Sequence, residues 1–241
     1  MQQYTVLTYH QIALAPAPPA RFRSLYVAPA SFVRQMRWLK GLGYQGVSMR
    51  NLMPYLRGEK KGKVVGLTFD DGYRNNLQYA LPVLQACGFT ATCYVMSQLL
   101  GKTNSWDIEN GVEQADLMTA DQIRQWVRGG MEIGAHTQTH CKLPELSDAD
   151  AARQIGACRA ELSAIVGEPV EHFCYPYGLY EERHAAMVRA AGYQTATTTR
   201  RGKVQVGADA FQLHRVPVVR STYLPQFLLK LLTDYENSKH T

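Results

Sequence analysis

The sequence predicts an α/β fold, a distorted or incomplete (β/α) barrel with about seven to eight strands, and three observations carry that prediction. Short β-branched and aromatic runs alternate with helix-period segments almost to the end of the chain. A length of 241 residues suits a barrel built as a single domain, residues 1–241, and neither a repeat nor a linker divides it. Residues able to do chemistry recur just after the strand-like runs, where a barrel places its site.

The elements follow in order. Thr5 to Tyr9 reads as a strand ending at His10, followed by a long Pro/Ala-rich loop through Ala13 to Ala20. "SFVRQMRWLKGLG" is a helix capped by Ser31 and stopped by Gly41 and Gly43. "YQGV" is a strand, and Ser48 caps a second helix ending near Arg57. "KVVGLTF" is a buried strand, and "NNLQYALPVLQACG" a helix with Pro82 kinking it or sitting in its first turns. "TATCYV" is a strand before a long loop over 98–118. Thr119 and Gln122 form a capping box for "ADQIRQWVRGG", and "MEIGA" is the strand that follows. Ser147 opens a helix to about Val166; then come strand "EHFCY", helix "YEERHAAMVRAAG" and strand "YQTATT". "FQLHRVPVV" is the last strand and "LPQFLLKLLTDY" the last helix.

Composition excludes several classes. Hydrophobic residues at 46% and charged residues at 19% are globular proportions with material for a sizeable core. No apolar run is long enough to span a bilayer, although peripheral membrane contact stays open. No basic stretch followed by an apolar one opens the chain, so as written it is expected in the cytoplasm; a trimmed chain would fit the periplasm or the exterior. The five cysteines are scattered and form no C-x-x-C pair, which argues against a disulfide framework or a zinc ribbon. A net charge of +6 would favour an anionic partner. Its only tight cluster, Arg57 to Lys63, reads as a solvated loop without interleaved aromatics, so no nucleic-acid partner is expected.

Three strand ends concentrate the chemistry, and His10 stands at a fourth. "TFDDGY" sets Asp70 and Asp71 side by side. A plain Asp-Gly turn would explain the pair, but adjacent desolvated carboxylates repel unless a cation or proton resolves them. "HTQTH" spaces His136 and His140 four apart, bringing both rings to one side if the segment coils. Two imidazoles and a carboxylate are the ligand set of a catalytic zinc that keeps an open position. "YPYG" gives a rigid turn whose backbone N–H groups could face a site. His10 alone reads first as a surface histidine at a loop entry.

With "TFDDG", "HTQTH" and "YPYG" in this order, the chain resembles the polysaccharide deacetylases of the NodB-homology type, carbohydrate esterase family four. The resemblance runs from about Tyr4 to Val219. The opening "LTYH" looks like the first strand of the subgroup that deacetylates poly-N-acetylglucosamine, whose motifs are circularly shifted so that this strand supplies a histidine. The resemblance implies that Asp71, His136 and His140 bind a divalent metal, most simply Zn²⁺, with Co²⁺, Ni²⁺ or Fe²⁺ as substitutes. It implies that Asp70 is the base acting on a metal-activated water, that the Tyr177 backbone N–H helps hold the oxyanion, and that His10 protonates the leaving amine.

Two departures from the family pattern matter. Cys174 stands where many members place an arginine that orients the base; Arg215, on the last strand, is the candidate substitute. The late Leu-x-His motif is not clearly present. His214 falls one residue early and alternation aims it away from Arg215, which ranks His10 ahead of it as the acid. His172, His184 and His240 read as structural or exposed, and Trp106 and Tyr180 as either packing or sugar-stacking residues.

The expected activity is removal of the N-acetyl group from an N-acetylhexosamine-containing glycan or glycoconjugate. A hydrolase of small cyclic amides or imides, and a glycan-binding module that retains a metal without turnover, are the alternatives. The sequence sets neither the substrate, among polymer, lipid-linked and nucleotide sugars, nor the oligomeric state.

Overall fold

Apolar runs too short for helices become strands when a partner takes up their backbone groups on each side, and here the partners form a ring. The computed structural model describes residues 2–238. Its strands are β1 (Gln3–Tyr9), β2 (Gln11–Ile12), β3 (Tyr26–Val27), β4 (Gln45–Val47), β5 (Val64–Phe69), β6 (Thr92–Val95), β7 (Glu132–Ala135), β8 (His172–Cys174), β9 (Thr195–Arg201), β10 (Val204–Gln205) and β11 (Leu213–Pro217). The helices are α1 (Pro29–Gly41), α2 (Met49–Leu56), α3 (Leu81–Cys87), α4 (Ala120–Arg128), α5 (Asp148–Val166), α6 (Glu182–Ala190) and α7 (Leu224–Leu232).

The ring runs β1-β11-β9-β8-β7-β6-β5 and returns to β1, every neighbour parallel. Closure is the pairing of β1 with β5, from Thr5 opposite Val65 to Tyr9 opposite Phe69. The barrel is therefore closed with seven strands, and the incomplete form does not apply. β4 lies along the early part of β5, β10 runs antiparallel to the start of β1, and β2 and β3 pair outside the ring.

Helix starts follow the capping residues, with one correction. Ser48 and Ser147 accept the N–H of Asn51 and Asp150, and Thr119 with Gln122 forms the expected capping box. The first helix begins at Pro29 rather than after Ser31. Pro29 has no N–H to satisfy and its φ is already helical, so the turn forms two residues early. Pro82 sits in the first turn of α3, after a π-helical turn over Asn76–Ala80.

Side-chain alternation sorts the strands into two cores. Outward residues such as Leu67 and Phe69 meet the helices, where Phe69 packs on Tyr9, Phe32 and Trp126. Each fully buried side chain of this size contributes about 1.5–3 kcal/mol. Helix α2 instead turns Met49, Leu52 and Leu56 onto Val6, Tyr94, Cys174 and Leu213. Its first N–H groups are accepted by Thr92 Oγ1 and Glu132 Oε2, so it closes the N-terminal end of the barrel.

Candidate active site

The C-terminal end of the barrel stays open, and four strands deliver the sequence-singled residues there. Asp70 and Asp71 follow β5, His136 follows β7, the "YPYG" turn follows β8 and His10 follows β1. Asp70 is pinned where the strand ends, its N–H donating to the Tyr9 carbonyl at 2.9 Å. Asp71 then turns left-handed, φ 69°, which throws its carboxylate across toward the histidines.

Asp71 Oδ1 lies 3.4 Å from Nε2 of His136 and 3.4 Å from Nε2 of His140. The three ligand atoms fall within 4.8 Å of one another, and all three residues are buried. His136 Nδ1 is 2.7 Å from the Cys174 carbonyl, which can only accept, so this nitrogen carries the proton and Nε2 presents a lone pair. His140 Nδ1 is buried with no hydrogen-bond partner. Its ring is stacked on Trp106 at 4.4 Å and meets Tyr177 edge-on at 4.5 Å, so packing fixes its direction. Lone pairs and a carboxylate oxygen converging in a buried space fit a cation between them, and this donor set suits a divalent metal.

Asp70 has a different partner. Arg215 Nη1 and Nη2 donate to its two carboxylate oxygens at 2.6 and 2.7 Å, a bidentate pair at 1% exposure of the arginine. Arg215 is held in turn: its Nε donates to the Thr198 carbonyl and its Nη1 to Thr68 Oγ1, and Nη2 touches Cys174 Sγ at 3.3 Å. Burial pushes the Asp70 carboxyl up, but the Arg215 guanidinium outweighs it and holds the group below the usual carboxylate range. Burial likewise raises Asp71, and the two imidazoles beside it, His136 and His140, outweigh that and leave the group well below that range. Asp70 and Arg215 thus cancel, leaving the single charge of Asp71 with two imidazoles. With that balance, a divalent cation held by Asp71, His136 and His140 would keep a net positive charge for polarising a carbonyl.

His10 Nε2 stands 3.9 Å from Asp70 Oδ2, the oxygen that also accepts from Arg215 Nη2, and is partly open to solvent. Tyr177 takes a left-handed φ of 57° and borders the same cleft. Gly178 beside it also has positive φ, and a Cβ there would fall 1.9 Å from Thr199 Oγ1, so only glycine fits the turn. The structure thus brings together Asp70, Asp71, His136, His140, His10, Tyr177 and Arg215. His214 is on the other face of β11, lining a separate cavity of about 430 Å³ with Lys203 and Asn237. His172 and His184 are buried; His240 lies outside the described residues.

Phe22, Leu25, Asp107 and Thr199 also line the cleft, about 130 Å³, and sequence reasoning missed them. Phe22, Leu25 and Asp107 are loop residues that carry no periodic signal, and their convergence depends on how the loops after β1 and β6 fold back; Thr199 sits near the end of β9. Trp106, left open between packing and sugar stacking, packs on a metal-ligand candidate.

A closed parallel barrel whose strand ends combine a buried carboxylate–imidazole triad with an arginine-held carboxylate defines a metal-dependent hydrolase. The family model for polysaccharide deacetylase matches residues 57–196, and the chain belongs to that family. Its members hydrolyse N-acetyl groups of carbohydrates in a metal-dependent reaction, and this chain is an enzyme of that class. It is 28% identical over 215 residues to the Bacillus subtilis protein YxkH, which carries a polysaccharide-deacetylase name, covering 88% of this chain and 70% of that one. It is 20% identical to the poly-β-1,6-N-acetyl-D-glucosamine N-deacetylase of Staphylococcus aureus, covering 79% of this chain and 67% of that one. Among solved structures, a Bacillus anthracis protein described as a polysaccharide deacetylase, BA0330, superposes with a TM-score of 0.81 at 28% identity, over 95% of this chain and 69% of its own. The Streptococcus pyogenes deacetylase PplD shares the fold with a TM-score of 0.83 at 24% identity, over 96% and 99%.

Proposed function

We propose that this chain removes acetate from N-acetylhexosamine units of a glycan or glycoconjugate, with Asp70 as general base, His10 as general acid and Zn²⁺ held by Asp71, His136 and His140. The observation that supports it best is that His10 and Arg215 both reach the Asp70 carboxylate, in one cleft with the buried triad. Co²⁺, Ni²⁺ or Fe²⁺ would suit the same donors.

When bound, the cation acts as a Lewis acid toward the amide carbonyl and acidifies the attacking water. Asp70 is ionised throughout the working pH range because Arg215 keeps it so, and it accepts the proton of that water as the new C–O bond forms. The Tyr177 N–H, presented by the left-handed turn, donates to the oxygen that gains charge. His10 gives its proton to the amide nitrogen as the C–N bond breaks, so that acetate and an amine leave. Arg215 positions Asp70 and touches no substrate. His10 follows β1 and Arg215 lies on β11, far apart in sequence, which supports reading residues 1–241 as one catalytic domain.

The similarity to an enzyme acting on β-1,6-linked N-acetylglucosamine makes oligomers of that sugar the first substrates to assay. Amine release from them, lost on chelation and restored by Zn²⁺, is the expected result. Release from a cyclic imide alone, or binding without release, would overturn this reading.

A further inference from the structure

We infer that the concavity where Arg23 and Arg220 meet, next to the catalytic cleft, is a subsite for a phosphoryl group carried by the N-acetylated substrate; this rests on the deacetylase reading above. The concavity, about 360 Å³, is lined by Arg23, Ser24, Arg220, Ser221 and Tyr223, with no carboxylate in its wall. Neither arginine forms an ion pair among the described residues, whereas Arg74, Arg153 and Arg183 each do. Two guanidinium groups lining one space make its potential positive, which favours an anion there.

The two arginines come from separate segments that are tied together. The Arg220 N–H donates to the Ser24 carbonyl at 2.9 Å. Arg23 Nε donates to the Pro16 carbonyl at 2.8 Å, which orients its guanidinium and leaves the terminal nitrogens for a ligand. A planar carboxylate would be satisfied by one guanidinium fork. Two guanidinium forks and two serines lining one space match the several oxygens of a phosphoryl group better.

The place of the concavity links it to the reaction. Arg23 opens the 3₁₀ turn Arg23–Leu25, and Leu25 and Phe22 of the same loop line the catalytic cleft. Arg220 follows β11, where the Val218 N–H donates to the Thr8 carbonyl two residues before His10. A sugar whose acetamide reaches His10 and Asp70 would set a phosphoryl group on itself or a neighbouring unit against this wall.

The test has two arms. Inorganic phosphate is titrated into the wild-type protein and into Arg220→Gln and Arg23→Gln/Arg220→Gln by calorimetry, expecting about tenfold weaker binding per arginine removed. Kinetics then compare an N-acetylglucosamine oligomer bearing a terminal phosphate with the neutral oligomer. The phosphorylated one should show the lower KM, and Arg220→Gln should raise that KM about tenfold while leaving the neutral KM and both kcat values unchanged. Arg37→Gln, an exposed arginine on α1, should change nothing. Equal phosphate affinity in the wild type and the double variant, equal KM for the two oligomers, or an Arg37→Gln effect as large as that of Arg220→Gln would each overturn the subsite. If the wild type hydrolyses neither oligomer, the deacetylase reading fails, and the calorimetric arm still decides the phosphate site.

Discussion

At the scale of single residues, Arg215 settles how an acidic pair survives burial. Replacing Arg215 with Met strands the Asp70 charge in the barrel, which should cost about 3–5 kcal/mol of stability and most of kcat. Lysine would restore charge without the bidentate fork and recover stability only in part. Thermal denaturation beside steady-state kinetics reads both effects, and an Arg215→Met protein with wild-type Tm and turnover would remove the arginine from the site. Replacing His10 with Ala should lower kcat about 10²- to 10⁴-fold while metal content, measured by mass spectrometry, stays at one ion per chain. Arg215 was legible because Cys174 left the base without a cation and the last strand carried one. Asp107 and Phe22 were not, since nothing local to them announces which cavity their loops will border.

Among elements, the segment from His136 to His140 is the one most in need of support. Thr137 and His140 both hold left-handed backbones, φ 63° and 59°, at about 1–3 kcal/mol each. Helix α5 supplies the restraint. Gln154 Oε1 accepts the N–H groups of Gln138 and Thr139 at 3.0 and 3.2 Å, Glu161 accepts from Gln138 and Ser97, and the Cys158 thiol lies 3.0 Å from the Thr137 carbonyl. Replacing Gln154 with Leu should weaken metal affinity about 10- to 100-fold, read by competition with a chromophoric chelator, while helical content is retained. Unchanged affinity would mean the loop holds its own shape. The histidine spacing was legible in the sequence, but its setting was not. The pair is not on a regular helix: a strained turn brings the rings together, and its props sit a dozen or more residues downstream.

For the molecule as a whole, the two ends of the barrel divide chemistry from stability. Opposite the open end, Glu132, His172, Thr92 and Thr195 interlock at the strand starts, with His172 Nε2 3.4 Å from Glu132 Oε1 and Nδ1 2.8 Å from Thr195 Oγ1. Burial lowers the pKa of His172 below its ordinary value, and the Glu132 charge only partly opposes this. The unfolded chain therefore binds more protons here as pH drops below about 6.5. Stability contributed by neutral His172 is present above that pH and is lost as pH falls through the depressed folded value. A His172→Gln variant should show a shallower acid-side decline in Tm with kcat unchanged at neutral pH; an identical pH profile would show that the group does not titrate on unfolding. The alternation of strands and helices made the barrel readable in advance. The small strands β2, β3 and β10 escaped notice, because two residues carry no period.

The placement of β11 between β9 and β1 also sets an order in time. A chain emerging from a ribosome presents Asp71, His136 and His140 well before Arg215. On the proposed roles, the triad is synthesised while Asp70 still lacks its counter-charge, and the ring cannot close until β11 slides in beside the first strand. A chain clipped ahead of β11 would keep all three residues of the triad but lose both Arg215 and the strand that completes the ring, and should be inert.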